Sequence, residues 1–487
     1  MLPVLLLSLL SLYRPENWQV FPCLDEVRCI STTGSEVYVA VPAGVCVLDR
    51  PRFRLLRTLN QADGIQGEVR LCAHSPARGD VFITADAPPD GGYQSQRVYR
   101  YLPSTGRVEE LSAPFKSVSS IGTAEDGAYF DTDAGLFFRA RNAAEFAAVS
   151  ELPGDVTWYG RNDTLEPRDF PFLTPYFVMD EQLVNRAITR VRPDKGGRRL
   201  FAAVRDYGIV VYNIRSGFSE SHIRFGPSLA PVRRITRLDN RLWLVGGQTA
   251  VSLDSAQNWN YFLTRPGDLS TGGFRLLLGN VTNLERSEGL SALVDDPSGL
   301  LLGTDNGAYQ LGPDGRLVQL VSQPRRVNGL LRVRDSLLIG TDFGLFYAQG
   351  ESVVEYPDPY GATDWGVFDI TRAENGTAYF GTLGGIVSRT SDGRWFRYVP
   401  PGLDLKQPVS ALAAAGTLVF MATPSPTPGL PSSVITVLDT KDGLYTTIDA
   451  TRGLPVSEIT SLYADDRFLW IASPRLIARL DYTKELR

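Results

Sequence analysis

Few residues in this chain of 487 can do proton-transfer, nucleophilic or metal chemistry: two histidines, His74 and His222, four cysteines and five lysines, beside 54 carboxylates. A general acid or base working near neutral pH is most readily a histidine. The repeat described below places both badly for chemistry, His222 in an outer fourth strand and His74 at a first-to-second strand turn on the face opposite the long insertions. Cys23, Cys29, Cys46 and Cys72 match no C-x-x-C spacing, and the last three sit in apolar strand patterns, where a thiol behaves as a small buried hydrophobe. A Cys23–Cys29 or Cys29–Cys72 disulfide stays open for an exported chain. No nucleophile elbow, zinc-binding H-E-x-x-H or P-loop is present. The sequence therefore offers no catalytic residue, no metal site and no cofactor site. Asp295, Asp296, Asp305 and Asp342 fall in or near turns, where aspartate caps the backbone, although a carboxylate pair or Ca²⁺ site assembled across distant segments would leave no linear trace. Arg78-Gly79-Asp80 falls where a tight turn belongs and is read as one.

The elements that carry these residues are strands. Apolar residues make up 43% of the chain and charged ones 21%, with 46 glycines and 32 prolines, which describes a folded, turn-rich chain with a large core. A formal charge of −5 without a basic stripe argues against nucleic acid as a partner. Met1–Leu12 is almost wholly apolar and is followed by Tyr13-Arg14-Pro15-Glu16-Asn17, the outline of a secretory signal, although no basic residue precedes the run and no clean cleavage site follows it. No other apolar run reaches the length of a membrane-spanning helix. The expectation is a periplasmic or secreted protein.

One pattern recurs ten times. It opens with an aliphatic residue and another three places on, from Val27/Ile30 and Val69/Cys72 to Val409/Leu412 and Ile459/Leu462, at intervals of 37 to 70 residues. An aromatic or aliphatic strand follows and often ends in Gly-Thr, as in Leu337-Leu338-Ile339-Gly340-Thr341. A third strand starts at a glycine in six units: Gly44, Gly135, Gly208, Gly307, Gly344 and Gly385. A fourth, frequently aromatic strand closes the unit, as in Trp395-Phe396-Arg397-Tyr398. Four short antiparallel strands per repeat predict an all-β fold, a β-propeller of about ten four-stranded blades over residues 18–487. The last unit lacks a fourth strand, and Trp18-Gln19-Val20-Phe21 is a good copy of one, so the N-terminal strand is expected to complete the last blade and close the ring. Two smaller propellers, or a single ring with one blade more or fewer, are the other arrangements the repeats allow.

The segment Arg452-Gly453-Leu454-Pro455 through Phe468-Leu469-Trp470-Ile471 resembles the two-component-regulator propeller repeat, with fragments at Gly303-Thr304-Asp305-Asn306-Gly307, Gly340-Thr341-Asp342-Phe343-Gly344-Leu345 and Gly381-Thr382-Leu383-Gly384-Gly385-Ile386. The resemblance runs over Trp18–Asp481 and implies a periplasmic propeller of the kind that senses ligands for hybrid histidine kinases. This chain has no kinase, so the resemblance implies signalling through a partner.

In a propeller the second-to-third strand loops and the connections between blades share one face. The long segments 85–96, 151–185, 263–289 and 422–433 should therefore project together. The largest carries Trp158, Tyr159, Arg161, Asp163, Tyr176 and Phe177, whose rings and charges could hold a ligand or pack the loop onto the blades. These six are the candidate binding residues. The expected function is non-enzymatic binding of a protein partner, or of an extracellular small molecule or glycan. Alternatives are a carbohydrate-active lyase or hydrolase with carboxylates and tyrosines in the central funnel, and a structural envelope scaffold.

Overall fold

The computed structural model describes residues 14–486 except 88–94, 264–290, 401–406, 425–432 and short breaks elsewhere. The apolar segment Met1–Leu12, nearly all of the insertion 263–289, and the tips of 85–96 and 422–433 lie outside the described residues. Among those described, no helix is long and apolar enough to cross a membrane.

The described strands form ten antiparallel sheets, one for each repeat; eight have four strands, and the third and fourth have five. Sheet one shows the plan, with Cys29–Thr32, Glu36–Val41, Gly44–Asp49 and Leu55–Leu59 hydrogen-bonded in chain order. All six glycines expected to open a third strand do so, each with positive φ, from 88° at Gly208 to 149° at Gly44.

The Gly-Thr pairs have a packing reason. A Cβ on Gly340 would lie 2.7 Å from Val367 Cγ1, on the segment that opens the next sheet, and Gly303 meets Val327 Cγ1 at the same distance. At these two places glycine lets adjacent sheets approach where the next first strand begins. The threonine that follows closes the turn: Oγ1 of Thr304, Thr341 and Thr382 donates to the carbonyls of Gly307, Gly344 and Gly385 at 3.1, 3.2 and 3.1 Å. A side chain that satisfies a turn carbonyl three residues on holds the hairpin register.

The chain divides into two compact units, Gln19–Leu229 and Met1–Trp18 with Ala230–Arg487. In the first, apolar residues of sheets one to three make one core around fully buried Tyr38, Tyr99 and Phe130, with Phe82 edge-on to Phe130 at 5.4 Å. The first strand of sheet one packs on that of sheet two, sheet two on sheet three, and the strand Asn185–Pro193 of sheet four returns against sheet one. All four cysteines are buried free thiols, and Cys29 Sγ lies 3.1 Å from the carbonyl oxygen of Cys72. Burial pushes the Cys23 and Cys46 thiols far above the usual thiol range.

The second unit holds sheets five to ten. Their first strands, beginning at Arg234, Ala292, Val327, Asp369, Ala411 and Ser461, pack each on the next, and the tenth sheet returns against the fifth. At that return, Ile235 N–H donates to Ser461 Oγ at 3.1 Å, and Thr460 Oγ1 donates to Val232 O at 2.5 Å. The tenth sheet has the strand Trp18–Pro22 beside Leu476–Asp481, the neighbour expected of it. Trp18 Nε1 donates to Arg452 O at 3.1 Å and Asn17 Nδ2 to Glu485 Oε2 at 2.7 Å, which fixes the N-terminal segment to the last repeat.

Candidate functional site

The insertion 151–185 does not simply loop outward. Its residues Thr157–Gly160 form a fifth strand of sheet three, antiparallel to Val118–Thr123, with Ile121 opposite Tyr159 and Gly122 opposite Trp158. Gly122 makes room for it, because a Cβ there would lie 2.5 Å from Val156 Cγ1 and 3.0 Å from the Trp158 ring. Tyr159 is buried, and the Arg192 guanidinium sits 4.4 Å above its ring centre. Arg192 also pairs with Asp163 and donates to Trp158 O at 2.9 Å. A cation between a ring and a carboxylate, all three desolvated, is a structural clasp. Burial raises the Asp163 carboxyl above its usual range despite Arg192, and burial likewise raises the Tyr159 phenol.

The six candidate residues therefore divide. Tyr159 and Asp163 are committed to Arg192, and Trp158 is half-buried over Gly122. Phe170 and Phe172 pack onto the core of sheet four, with Phe172 5.9 Å from Tyr212. Arg161, Tyr176 and Phe177 remain exposed. Tyr176 and Phe177 lead an edge strand, Phe177–Met179, whose exposed residues continue through Met179 and Leu183, the last 78% exposed.

A second exposed aromatic surface, in the other unit, was not among the candidates. Trp365 and Phe343 are 73% and 65% exposed. Phe343 lies in the turn between the second and third strands of sheet seven, and Trp365 in the short helix Thr363–Trp365 that connects to sheet eight. Val367 N–H donates to Thr341 O at 2.8 Å, and a Cβ on Gly366 would lie 3.0 Å from Asp342 O, so the two stretches of backbone are neighbours. The signal was in the repeat. The turns Thr304-Asp305-Asn306-Gly307 and Thr382-Leu383-Gly384-Gly385 place Asn and Gly where Thr341-Asp342-Phe343-Gly344 places Phe. A large ring gains nothing at a tight-turn position that suits Asn or Gly.

Neither histidine forms a site. His222 lies in the fourth strand of sheet four, stacked on Tyr207 at 4.0 Å, and His74 closes the first strand of sheet two, where burial lowers its pKa. Gly79 and Asp80 occupy the turn before Val81 with Asp80 buried, while Arg78 lies outside the described residues. Among first-strand carboxylates, Asp369 is fully buried. It pairs with Arg234 and accepts from the N–H groups of Ile370 and Leu412 at 2.7 and 2.8 Å. Burial pushes its carboxyl above the usual range, with the Arg234 guanidinium drawing it back. A carboxylate so enclosed holds strands together and has no room for a substrate. Among the described residues, no group of three or more His, Cys, Asp or Glu side chains could hold a metal ion.

This fold occurs in a bacterial surface protein. The chain is similar to PorZ, an essential surface component of the type-IX secretion system of Porphyromonas gingivalis, with 11% identity, 96% of this chain and 87% of that chain covered, and a TM-score of 0.52. A looser likeness, TM-score 0.37 at 12% identity, links 93% of this chain to 70% of the extracellular domain of the putative hybrid two-component system BT4673 from B. thetaiotaomicron. No family model matches the sequence, and no curated protein matches it. At these identities the likeness is one of fold.

Proposed function

We propose that this chain is an exported, non-enzymatic pair of β-propellers, of four and six blades, that binds a partner protein through exposed aromatic residues. The return of sheet four to sheet one, and of sheet ten to sheet five, supports two rings in place of the single ring of about ten. The strand Trp18–Pro22 beside Leu476–Asp481 supports completion of the last blade by the N-terminal strand. The observation that carries the binding role is the exposure of Trp365 and Phe343 on adjacent backbone. Aromatic and Trp residues dominate protein interfaces because each removes a large, stiff apolar surface from water. Both lie on the face of second-to-third turns and blade connections, where binding was expected. Tyr176 and Phe177, with Met179, supply a second surface in the other unit.

The test is affinity capture from the native envelope extract with wild type, Phe343→Ser/Trp365→Ser, and Tyr176→Ser/Phe177→Ser, each first shown to be folded by circular dichroism. A partner held by wild type and lost from either double variant is the expected result. Identical partners from all three proteins would refute the assignment. Point variants are used because deleting 151–185 would remove Thr157–Gly160 and strip a strand from sheet three.

A further inference from the structure

Where sheet four meets sheet one, the turns leave an open cleft of about 340 Å³, at the small end of the roughly 300–1,000 Å³ typical of ligand pockets. It lies on the face of first-to-second and third-to-fourth strand turns, and nothing in the partner-binding proposal uses it. Its lining includes Arg50, Arg198, Arg199, Asp194, Asn213 and Glu220. Two of the arginines are held in place. Arg50 pairs with Asp194, whose side chain is 1% exposed, and its Nη1 donates to Gly34 O at 3.1 Å. Arg199 Nε donates to Glu220 Oε2 at 2.8 Å, and its guanidinium lies 5.3 Å above the Phe53 ring. Asn213 Nδ2 donates to Glu220 Oε1 at 2.8 Å.

Arg198 differs. Its backbone N–H bonds Asp194 Oδ1 at 2.8 Å, but its exposed side chain makes no ion pair among the described residues. Arg52, Arg54, Lys195 and Arg215, on the same turns, are likewise exposed and without an ion pair. A cationic excess thus surrounds this cleft in a chain whose formal charge is −5. Gly34 also lines the cleft, and a Cβ there would meet nothing within 4 Å.

We infer that this cleft binds a small polyhydroxylated anion, a sugar phosphate or a uronate. Guanidinium forks recognise phosphate and carboxylate oxygens in a bidentate manner, and two forks already ordered by Asp194 and Glu220 lose little freedom on binding. Arg198 is the third arginine of a lining that holds two carboxylates, Asp194 and Glu220, and so leaves the cleft one positive charge in excess. The remaining acceptor positions of Asp194 and Glu220, with the Asn213 amide, match ligand hydroxyls.

Calorimetric titration of the intact protein with glucose 6-phosphate, glucuronate, inorganic phosphate and glucose tests the assignment. At least one sugar anion should bind at least about tenfold more tightly than glucose and than inorganic phosphate, and should weaken as salt rises. Arg198→Glu should weaken that binding by about tenfold or more. Gly34→Trp, which adds a ring at an exposed position free of neighbours, should block the cleft by a route that leaves every charge in place. Glucose or inorganic phosphate binding as tightly as the sugar anions would overturn the inference. Unchanged affinity in both variants, or no sugar-anion binding up to about 10 mM at low salt, would overturn it too.

Discussion

Replacing Asp369 with alanine should unfold, or nearly unfold, the unit of sheets five to ten. The carboxylate is fully buried, and the Arg234 side chain opposite it is 13% exposed. Removing one partner of such a pair leaves a desolvated charge, at about 3–5 kcal/mol. The N–H groups of Ile370 and Leu412 lose their acceptor as well, at about 1 kcal/mol each taking the low end for an orphaned buried donor. The sum, about 5–7 kcal/mol, is comparable with the whole stability of many domains, about 5–15 kcal/mol. Urea unfolding followed by tryptophan emission reports mainly this unit. Trp18, Trp243, Trp259, Trp365, Trp395 and Trp470 belong to it and only Trp158 to the other. The companion variant Arg234→Met/Asp369→Leu removes both charges, so only the two N–H groups remain unsatisfied and the loss should shrink to about 2 kcal/mol. If Asp369→Ala stays within about 1 kcal/mol of wild type with an unchanged urea slope, the pair is not desolvated and the reasoning fails.

Gly340→Ala should cost about 1–3 kcal/mol in the same urea experiment, because its Cβ would arrive 2.7 Å from Val367 Cγ1; a neutral result would mean that the Gly-Thr glycine does not set the spacing between sheets. The Asp194 carboxyl is held below its usual range, since burial raises it but the Arg50 ion pair and the N–H groups of Arg198 and Arg199 more than offset that. Its folded pKa therefore lies below the unfolded one, so its contribution is present above about pH 3.8 and fades as pH falls through the folded value. Thermal melts of Asp194→Asn should thus show a smaller loss of Tm below pH 4 than wild type, and parallel curves would contradict this.

The repeat was legible because each unit solves the same local problem with the same residues. The third-strand glycines are positions where a turn demands positive φ, and such a demand shows in the sequence whatever surrounds it. The threonines of the Gly-Thr pairs bond within four residues and are equally local. The site was less legible. Trp158, Tyr159, Asp163, Tyr176 and Phe177 look alike as aromatic or charged residues of one insertion. Yet Tyr159 and Asp163 are drawn inward by Arg192, 29 residues beyond Asp163 in sequence, while Tyr176 and Phe177 stay in water. Exposure depends on what packs against a side chain, and no local pattern reports that.

The ten repeats, the order of consecutive hairpin strands within each and their turns follow from short-range preferences, alternation of apolar residues and glycine placement, which the sequence by itself determines; the fifth strands of sheets three and four do not. How the sheets are grouped was decided by tertiary contacts alone. A sheet's apolar faces will accept any neighbour of the right shape, so the repeats are compatible with one ring or two. Arg50 with Asp194, 144 positions apart, joins sheet one to its neighbour sheet four, and Arg234 with Asp369 joins sheet five to sheet eight within the other unit. The cleft between sheets one and four exists for the same reason, since its arginines and carboxylates come from turns that only folding brings together.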